Sequence, residues 1–145
     1  MIGRDFIESA RALAQSDRPC DLRSAVSRAY YASFHAALLI CESQGIRFPK
    51  SIVHTKMPQC FDNSNVPGAQ KVGRKLASLR DDRNNADYDV ADLLFEDSGE
   101  ASDRIRVAET IIDEIDSLVS EPTEYRNLAA LLVTAARKLG IPVRV

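Results

Sequence analysis

The chain has 145 residues, of which 45% are hydrophobic and 28% are charged, and its formal net charge is -2. This length is most simply one domain, spanning residues 1-145, that buries enough apolar surface to fold without disulfides. The charge balance excludes an intrinsically disordered chain and a protein that is basic throughout, so a nucleic-acid contact would need a local basic patch.

The sequence gives no sign of a membrane segment or of a metal site. No apolar run reaches the roughly 18 residues of a membrane span, and the charged start differs from a signal peptide. We therefore expect a cytoplasmic protein that does not contact a membrane. Cys20, Cys41 and Cys60 lack the short spacings of zinc and redox sites, so we expect ordinary thiols, with no metal and no cofactor.

Helical periodicity continues along the chain, and no segment alternates convincingly as a strand would. The predicted helices, in chain order, span about residues 4–15, 21–43, 51–61, 69–88, 98–119 and 122–139. We expect Asp21 and Ser98 to cap the second and fifth helices, and Pro122 to begin the last. The pattern predicts an all-α fold, an antiparallel up-and-down bundle of four to five main helices. Its core should span about residues 4–119, with the extra C-terminal helix packing outside it.

The second predicted helix carries two distinct faces. Its apolar face contains Val26, Ala29, Tyr30, Ser33, Phe34, Ala37 and Cys41. A separate stripe contains Arg28, Tyr31, His35 and Glu42 at helical spacing. Tyr30 and Tyr31 are most simply half-buried aromatics whose hydroxyls reach a partner, and His35 a histidine at a helix interface. The stripe is also a candidate binding surface.

An arginine occupies a core position of the fourth predicted helix. The inward face reads Val72, Leu76, Leu79, Arg83 and Ala86. Since a guanidinium does not lose its proton, Arg83 must be paired, hydrogen-bonded or held in a wet cleft. We expect it to pair with Asp87, which Arg28 could share while Tyr88 covers the network.

This network can be chiefly structural or can line a functional cleft, because the same groups serve both purposes. We expect Asp87 to be the structural anchor and Arg83 the exposed working end, so Asp87→Asn should destabilise the protein more than Arg83→Ala. The basic run Lys71, Arg74, Lys75 and Arg80 is either a solvated helix face or a surface that holds phosphates.

Two segments of the chain resemble a small prokaryotic HEPN domain. They read SAVSRAYYASFHAALLI at residues 24–40 and LASLRDDRNNADYD at residues 76–89. The first matches the family pattern R-x-Y-Y-A at Arg28, Tyr30, Tyr31 and Ala32, and the second matches R-x-x-A-D-Y at Arg83, Ala86, Asp87 and Tyr88. The similarity covers about residues 6–118. It implies a helical bundle, a homodimer formed around the helix that carries Arg83, and association with an MNT-type nucleotidyltransferase in toxin-antitoxin pairs.

Many HEPN proteins are metal-independent ribonucleases that resemble one another in an R-x(4 to 6)-H motif. Arg83 and Asn84 match the start of this motif, but no histidine follows His54 in the sequence. Tyr88 stands near the expected position, and a tyrosine with a pKa near 10 is a poor base at neutral pH. Neither His35 nor His54 has an acid at the spacing of a metal or base site.

Two functions remain open from the sequence. The favoured one is a dimeric module of a toxin-antitoxin or stress and defence system that binds RNA or a nucleotidyltransferase without the nuclease histidine. Its predicted cleft contains Arg28, Tyr31, His35, Arg83, Asn84, Asp87 and Tyr88. The alternative is a metal-independent RNA endonuclease in which Arg83 binds the scissile phosphate. In that case His35, His54 or Tyr88 would replace the missing histidine.

Overall fold

The six predicted runs of helical periodicity form six α-helices in a computed structural model that describes residues 2–144. The fold is an all-α antiparallel up-and-down bundle, as predicted. Its helices are α1 (Ile2–Ala14), α2 (Pro19–Ser43), α3 (Val53–Asp62), α4 (Pro67–Tyr88), α5 (Ser98–Ser120) and α6 (Pro122–Lys138), with a 3-10 turn at Leu94–Glu96. None of these helices is long and apolar enough to cross a membrane.

Helix α2 lies at the centre of the bundle because its apolar positions extend around most of its circumference. It packs against α1, α4, α5 and α6, and the whole apolar face predicted from the sequence is buried. Cys41 and Cys60 are also buried as free thiols, while the free thiol of Cys20 is exposed. Burial raises the pKa of the Cys60 thiol to about 11, so it remains protonated and packs as a small hydrophobic side chain.

Three details at the helix ends and faces differ from the sequence prediction. Helix α2 begins at Pro19, because proline lacks an N–H and has the φ that the first helical position needs, so Asp21 lies inside the first turn. The cap of α5 is Asp97, whose carboxylate accepts the Glu100 backbone N–H at 3.0 Å, and the prediction of Ser98 was wrong. Val119, predicted to face inward, is exposed because it lies in the last turn of α5, beyond the buried positions.

A single arginine holds the segment that links α4 to α5. Arg23 of α2 donates to the carbonyl oxygens of Ala86 and Asp89, both at 3.1 Å, and contacts the carbonyl oxygen of Asp92. Its Nη2 also lies 2.9 Å from a carboxylate oxygen of Glu96. Carbonyl groups at the end of a helix need donors, and this guanidinium supplies several at once. The segment is therefore ordered by contacts from α2 although it contains only one short turn of helix.

The end of the described chain pairs with the loop that leads into α3. The backbone N–H of Arg47 donates to the carbonyl of Pro142 at 2.9 Å, and that of Arg144 donates to Gly45 at 2.8 Å. Gly45 has φ of +81°, and a Cβ there would lie 2.0 Å from the Arg144 carbonyl oxygen, so a larger residue would clash. Since α6 also contacts α3 and α5, this pairing fixes the loop and the start of α3 against the bundle.

Replacing Arg23 with methionine should lower the free energy of unfolding by about 2 to 4 kcal/mol, because several hydrogen bonds to a charged, largely buried group are lost together. Denaturant unfolding measures the loss, and hydrogen exchange should show faster exchange in residues 89–97. Arg4→Met is the matched control, since Arg4 pairs with Asp113 and Asp116 at the surface and should cost less than about 1 kcal/mol. Equal losses in the two variants would contradict this role of Arg23.

Candidate functional site

Helices α2, α3 and α4 meet around the inward-facing arginine of α4. We call this site the arginine–aromatic cluster, and it contains Arg80, Arg83, Tyr30, Tyr31, Phe34, His35 and His54. The core spacing of α4 directs Arg83 toward α2, where two adjacent tyrosines present their rings. Helix α3 contributes His54, which contacts the Tyr30 hydroxyl.

Arg83 is buried without an acidic partner. Arg83 is only 8% exposed, which confirms the inward direction predicted from the helical pattern. The guanidinium carbon lies 5.2 Å from the ring centre of Tyr30 and 5.5 Å from that of Tyr31, so both aromatic rings attract the charge. No Asp or Glu within residues 2–144 forms an ion pair with Arg83, and its Nε is buried without a hydrogen-bond acceptor.

The predicted network of Arg83, Asp87 and Arg28 is absent, and that prediction was wrong. Asp87 is exposed and accepts a hydrogen bond from the Ser27 hydroxyl at 3.1 Å. Arg28 is exposed with its guanidinium carbon 5.6 Å from the ring centre of Phe6. Residues four apart share a helix face, so spacing allows the pair, but the Arg83 guanidinium is directed to the rings of Tyr30 and Tyr31 while the Asp87 carboxylate is directed to Ser27. Tyr88 is 74% exposed and does not cover the cluster.

His54 is oriented by the buried tyrosine. The hydroxyl oxygen of Tyr30 lies 2.7 Å from Nδ1 of His54, and the imidazole stacks on Phe34 with ring centres 4.4 Å apart. Burial lowers the pKa of His54 below its usual 6.5, and the charges of Arg83 and Arg80 lower it further. The imidazole is therefore neutral at neutral pH, with one nitrogen held by Tyr30 and the other able to act on a ligand.

The protonation of Tyr30 and the tautomer of His54 are linked. Burial raises the pKa of Tyr30 well above its usual 10, so the hydroxyl keeps its proton even though Arg83 favours the charged form. If that hydroxyl donates to Nδ1, then Nε2 of His54 carries a proton and can donate to a ligand. If instead Nδ1–H donates to the hydroxyl oxygen, Nε2 has a free lone pair and can accept a proton.

His35 joins the cluster through its ring. Its ring centre lies 6.0 Å from that of Tyr31, on which it stacks, and 5.2 Å from that of Phe6. Burial lowers the pKa of His35, so this ring is also neutral at neutral pH. The partly exposed rings of Phe6, Tyr31 and His35 thus extend the cluster toward the surface.

The basic run of α4 has mixed environments. Arg80 donates from Nη1 to the Thr55 hydroxyl at 3.0 Å and from Nη2 to Asp81 at 3.3 Å, while its Nε is buried without an acceptor. Arg74 pairs with Asp62 at 3.0 Å on the surface. Lys71 and Lys75 are exposed. Only Arg80 of this run therefore reaches the cluster.

The structure brings together some of the predicted site residues and separates others. Tyr31, His35, His54 and Arg83 lie in one cluster, and Arg28 lies near it through Phe6. Asn84, Asp87 and Tyr88 lie on the exposed side of α4 near its end. The sequence prediction missed the contact of Tyr30 with His54. Asking which aromatic side chain could orient each histidine would have suggested this pair. No group of three or more His, Cys, Asp or Glu side chains within residues 2–144 is placed to hold a metal ion.

This arrangement combines two guanidinium groups, two neutral imidazoles and several aromatic rings. The guanidinium groups suit phosphate oxygens, because each offers several donors in a planar fork. The aromatic rings can stack with bases, whose faces are accessible in a single strand. The cluster therefore has the chemistry to bind a nucleic-acid strand through both its backbone and its bases.

The chain is similar to a known protein family and to a curated protein. The model of the HEPN domain family matches residues 2–118. A UPF0332 protein of Thermotoga maritima is 26% identical over 121 residues, which cover 81% of this chain and 86% of that protein. No solved structure matches the chain.

The stability of two variants tests whether Arg83 contacts aromatic rings, as observed, or pairs with Asp87, as the sequence predicted. Asp87→Asn should change the free energy of unfolding by less than about 0.5 kcal/mol, because Asp87 is exposed. Arg83→Met should leave it within about 1 kcal/mol of the wild type or raise it, because a buried charge without an acidic partner is replaced by an apolar chain of similar length. Denaturant unfolding of both variants measures this. A loss of about 3 to 5 kcal/mol in Arg83→Met would instead make Arg83 a structural keystone.

Proposed function

The chain belongs to the HEPN domain family, and from that premise we propose that it is an RNA-binding module whose site is the arginine–aromatic cluster. The observation that carries this proposal is Arg83, a nearly buried guanidinium with no acidic partner among residues 2–144. The family is often involved in ribonuclease and toxin-antitoxin roles. A phosphate group would supply the negative charge that the protein does not provide at this position.

Burial of Arg83 removes its guanidinium from water at a cost in free energy. Desolvation of an unpaired charge is unfavourable, and the attraction of two aromatic rings offsets only about 2 kcal/mol or somewhat more of it. A phosphate diester that reaches Arg83 would form charge-assisted hydrogen bonds in surroundings with little competing water. The protein thus keeps a cation prepared for an anion at some expense in stability, a trade that is typical of binding sites.

The distribution of charge favours an approach of RNA from the side of α3 and α4. Arg74 and Arg80 lie with His54 where α4 faces α3. The acids Asp113 and Asp116 lie instead on α5, beside Arg4. A local field of this kind attracts a polyanion although the whole chain has a net charge of -2. RNA is favoured over an acidic protein because the cluster also contains aromatic rings suited to bases.

Binding of a fluorescently labelled single-stranded RNA, followed by anisotropy, tests the proposal. Arg83→Met should weaken binding about ten-fold or more and reduce the magnitude of the salt slope by about 0.7, the value of one phosphate contact with a single strand. Arg106→Met is the matched control, because it removes one charge from an exposed position on α5 and should change affinity much less. Absence of binding by the wild type, or equal binding by Arg83→Met, would contradict the proposal.

RNA cleavage is a second candidate function, and the hydrogen bond between Tyr30 and His54 favours it. With Nδ1–H donated to Tyr30, Nε2 of His54 could accept the proton of a ribose 2′-hydroxyl as its oxygen attacks the adjacent phosphorus. The bond from phosphorus to the 5′-oxygen would then break, leaving a 2′,3′-cyclic phosphate and a 5′-hydroxyl that takes a proton from water. Arg83 and Arg80 would stabilise the charge that develops on the phosphate.

A cleavage assay in the presence of EDTA tests this second function. The rate should rise with pH through the lowered pKa of His54 and level off near neutral pH, since the base must be unprotonated. His54→Gln should lose about 100-fold or more of the rate while keeping RNA affinity. Tyr30→Phe should shift the midpoint of the pH profile. Cleavage that is unchanged in His54→Gln would exclude His54 as the base.

We also propose that the chain forms a homodimer around the end of α4, as the family resemblance implies. Tyr88, Val90 and Leu93 are 74%, 76% and 67% exposed there, a group of apolar side chains that contact with a second copy would cover. Sedimentation should give about twice 16.0 kDa, and Leu93→Asp should shift it toward the monomer, whereas Val119→Asp on α5 should not. A monomeric wild type at tens of micromolar would contradict the dimer.

The nucleotidyltransferase partner stays a prediction, for which copurification is the direct test.

A further inference from the structure

A groove of about 180 Å³ lies between α3 and α4, next to the arginine–aromatic cluster. His54 and Arg80 lie at its inner end, where they belong to both the cluster and the groove. Gln59 lines it from α3, and Arg74 and Ala77 line it from α4. The groove therefore adjoins the cluster at His54 and Arg80.

The shape of the groove follows from two small residues of α4. At Gly73 the helices are in close contact, because a Cβ there would lie 2.6 Å from the Pro58 carbonyl oxygen and 2.8 Å from the Asp62 backbone nitrogen. One turn later, the short side chain of Ala77 leaves space that a larger residue would fill. Beyond Ala77, Arg80 reaches across to Thr55 and closes the inner end.

The chemistry of the groove suits part of a polyanion. Arg74 stands near one end, paired with Asp62, which also lines the groove, and Arg80 stands at the other end. Between them the Gln59 amide can donate from Nε2, while its Oε1 accepts from Lys56 at 3.4 Å. To turn toward a ligand, Arg80 would give up its hydrogen bond to the Thr55 hydroxyl and its bond to the exposed Asp81, which together contribute only about 1 to 2 kcal/mol. Its Nε has no acceptor within residues 2–144 and would gain one. Since pockets that hold a whole small ligand have about 300 Å³ or more, this groove fits a single unit of a longer molecule.

We propose that this groove binds the nucleotide next to the one whose phosphate contacts Arg83, and that the RNA bound there is single-stranded. The inference rests on the proposed RNA binding and adds its substrate class. A base can enter a narrow groove and meet the Gln59 amide only when it is not paired and stacked in a helix. The phosphate of that nucleotide would contact Arg80, which lies between the groove and the cluster.

Filling the groove tests the inference without altering a charged or hydrogen-bonding side chain. Ala77→Leu places a larger apolar group in the groove at an exposed helical position, and Ser78→Leu adds the same group on the neighbouring, exposed position outside the lining. The probes are a labelled single-stranded RNA and a duplex RNA of the same sequence. The wild type should bind the single strand at least about ten-fold more tightly than the duplex. Ala77→Leu should lose most of that preference, because it removes the contact with one nucleotide. Ser78→Leu should bind like the wild type.

Thermal unfolding of each variant accompanies the binding assay, and Ala77→Glu provides a second variant if leucine disturbs the packing of α3. Its carboxylate should repel the RNA backbone from the groove and weaken binding of the single strand at least as much. If folded Ala77→Leu and Ala77→Glu bind like the wild type while Arg83→Met binds weakly, the groove inference is overturned and the proposed RNA binding stands. Equal affinity of the wild type for duplex and single strand overturns the single-strand assignment. No binding by the wild type overturns both.

Discussion

The contact of Arg83 with the faces of Tyr30 and Tyr31 is the interaction on which the rest of the site depends. A permanent cation in the core between α2 and α4 makes its surroundings electropositive, and this contributes to the lowered pKa of the neighbouring His54. Tyr30 serves two purposes, because its ring faces the guanidinium and its hydroxyl holds the imidazole. Helices α2, α3 and α4 are thus joined through the side chain of Tyr30. A change at Tyr30 would disturb both the guanidinium of Arg83 and the imidazole of His54.

The protein separates its stabilising ion pairs from this site. Arg104 bridges α5 to α4 through Asp82 at 2.8 Å, and Arg23 gathers the carbonyl oxygens beyond α4. These arginines have acidic or carbonyl partners, whereas Arg83 contacts aromatic rings and forms no ion pair with any acid of residues 2–144. The difference explains why similar side chains at similar burial have different roles. Partnered guanidiniums hold elements together, and the one without an acid is suited to a ligand.

The helical pattern predicted the fold and the direction of Arg83 because both depend on periodicity within one segment. It could not predict partners across helices. Asp87 was expected to pair with Arg83 on spacing alone, yet its direction at the end of α4 leads to Ser27 of α2. The contact of Tyr30 with His54 joins residues of two separate helices, and no local pattern indicates how α3 packs. The groove beside Ala77 depends on empty space between helices, which a sequence does not display.

The pairing of residues 45–47 with residues 142–144 has a consequence for the order of events during synthesis. Gly45 and Arg144 are about 100 residues apart in the chain, so their hydrogen bond closes a long loop and is among the most entropically demanding contacts of the fold. It cannot form until residue 144 has left the ribosome, whereas α1 and α2 can associate as soon as both have emerged. Helix α3 packs chiefly on α4, so His54 can meet Tyr30 before the pairing forms. The pairing thus fixes the loop into α3 only after the helices of the site have been made.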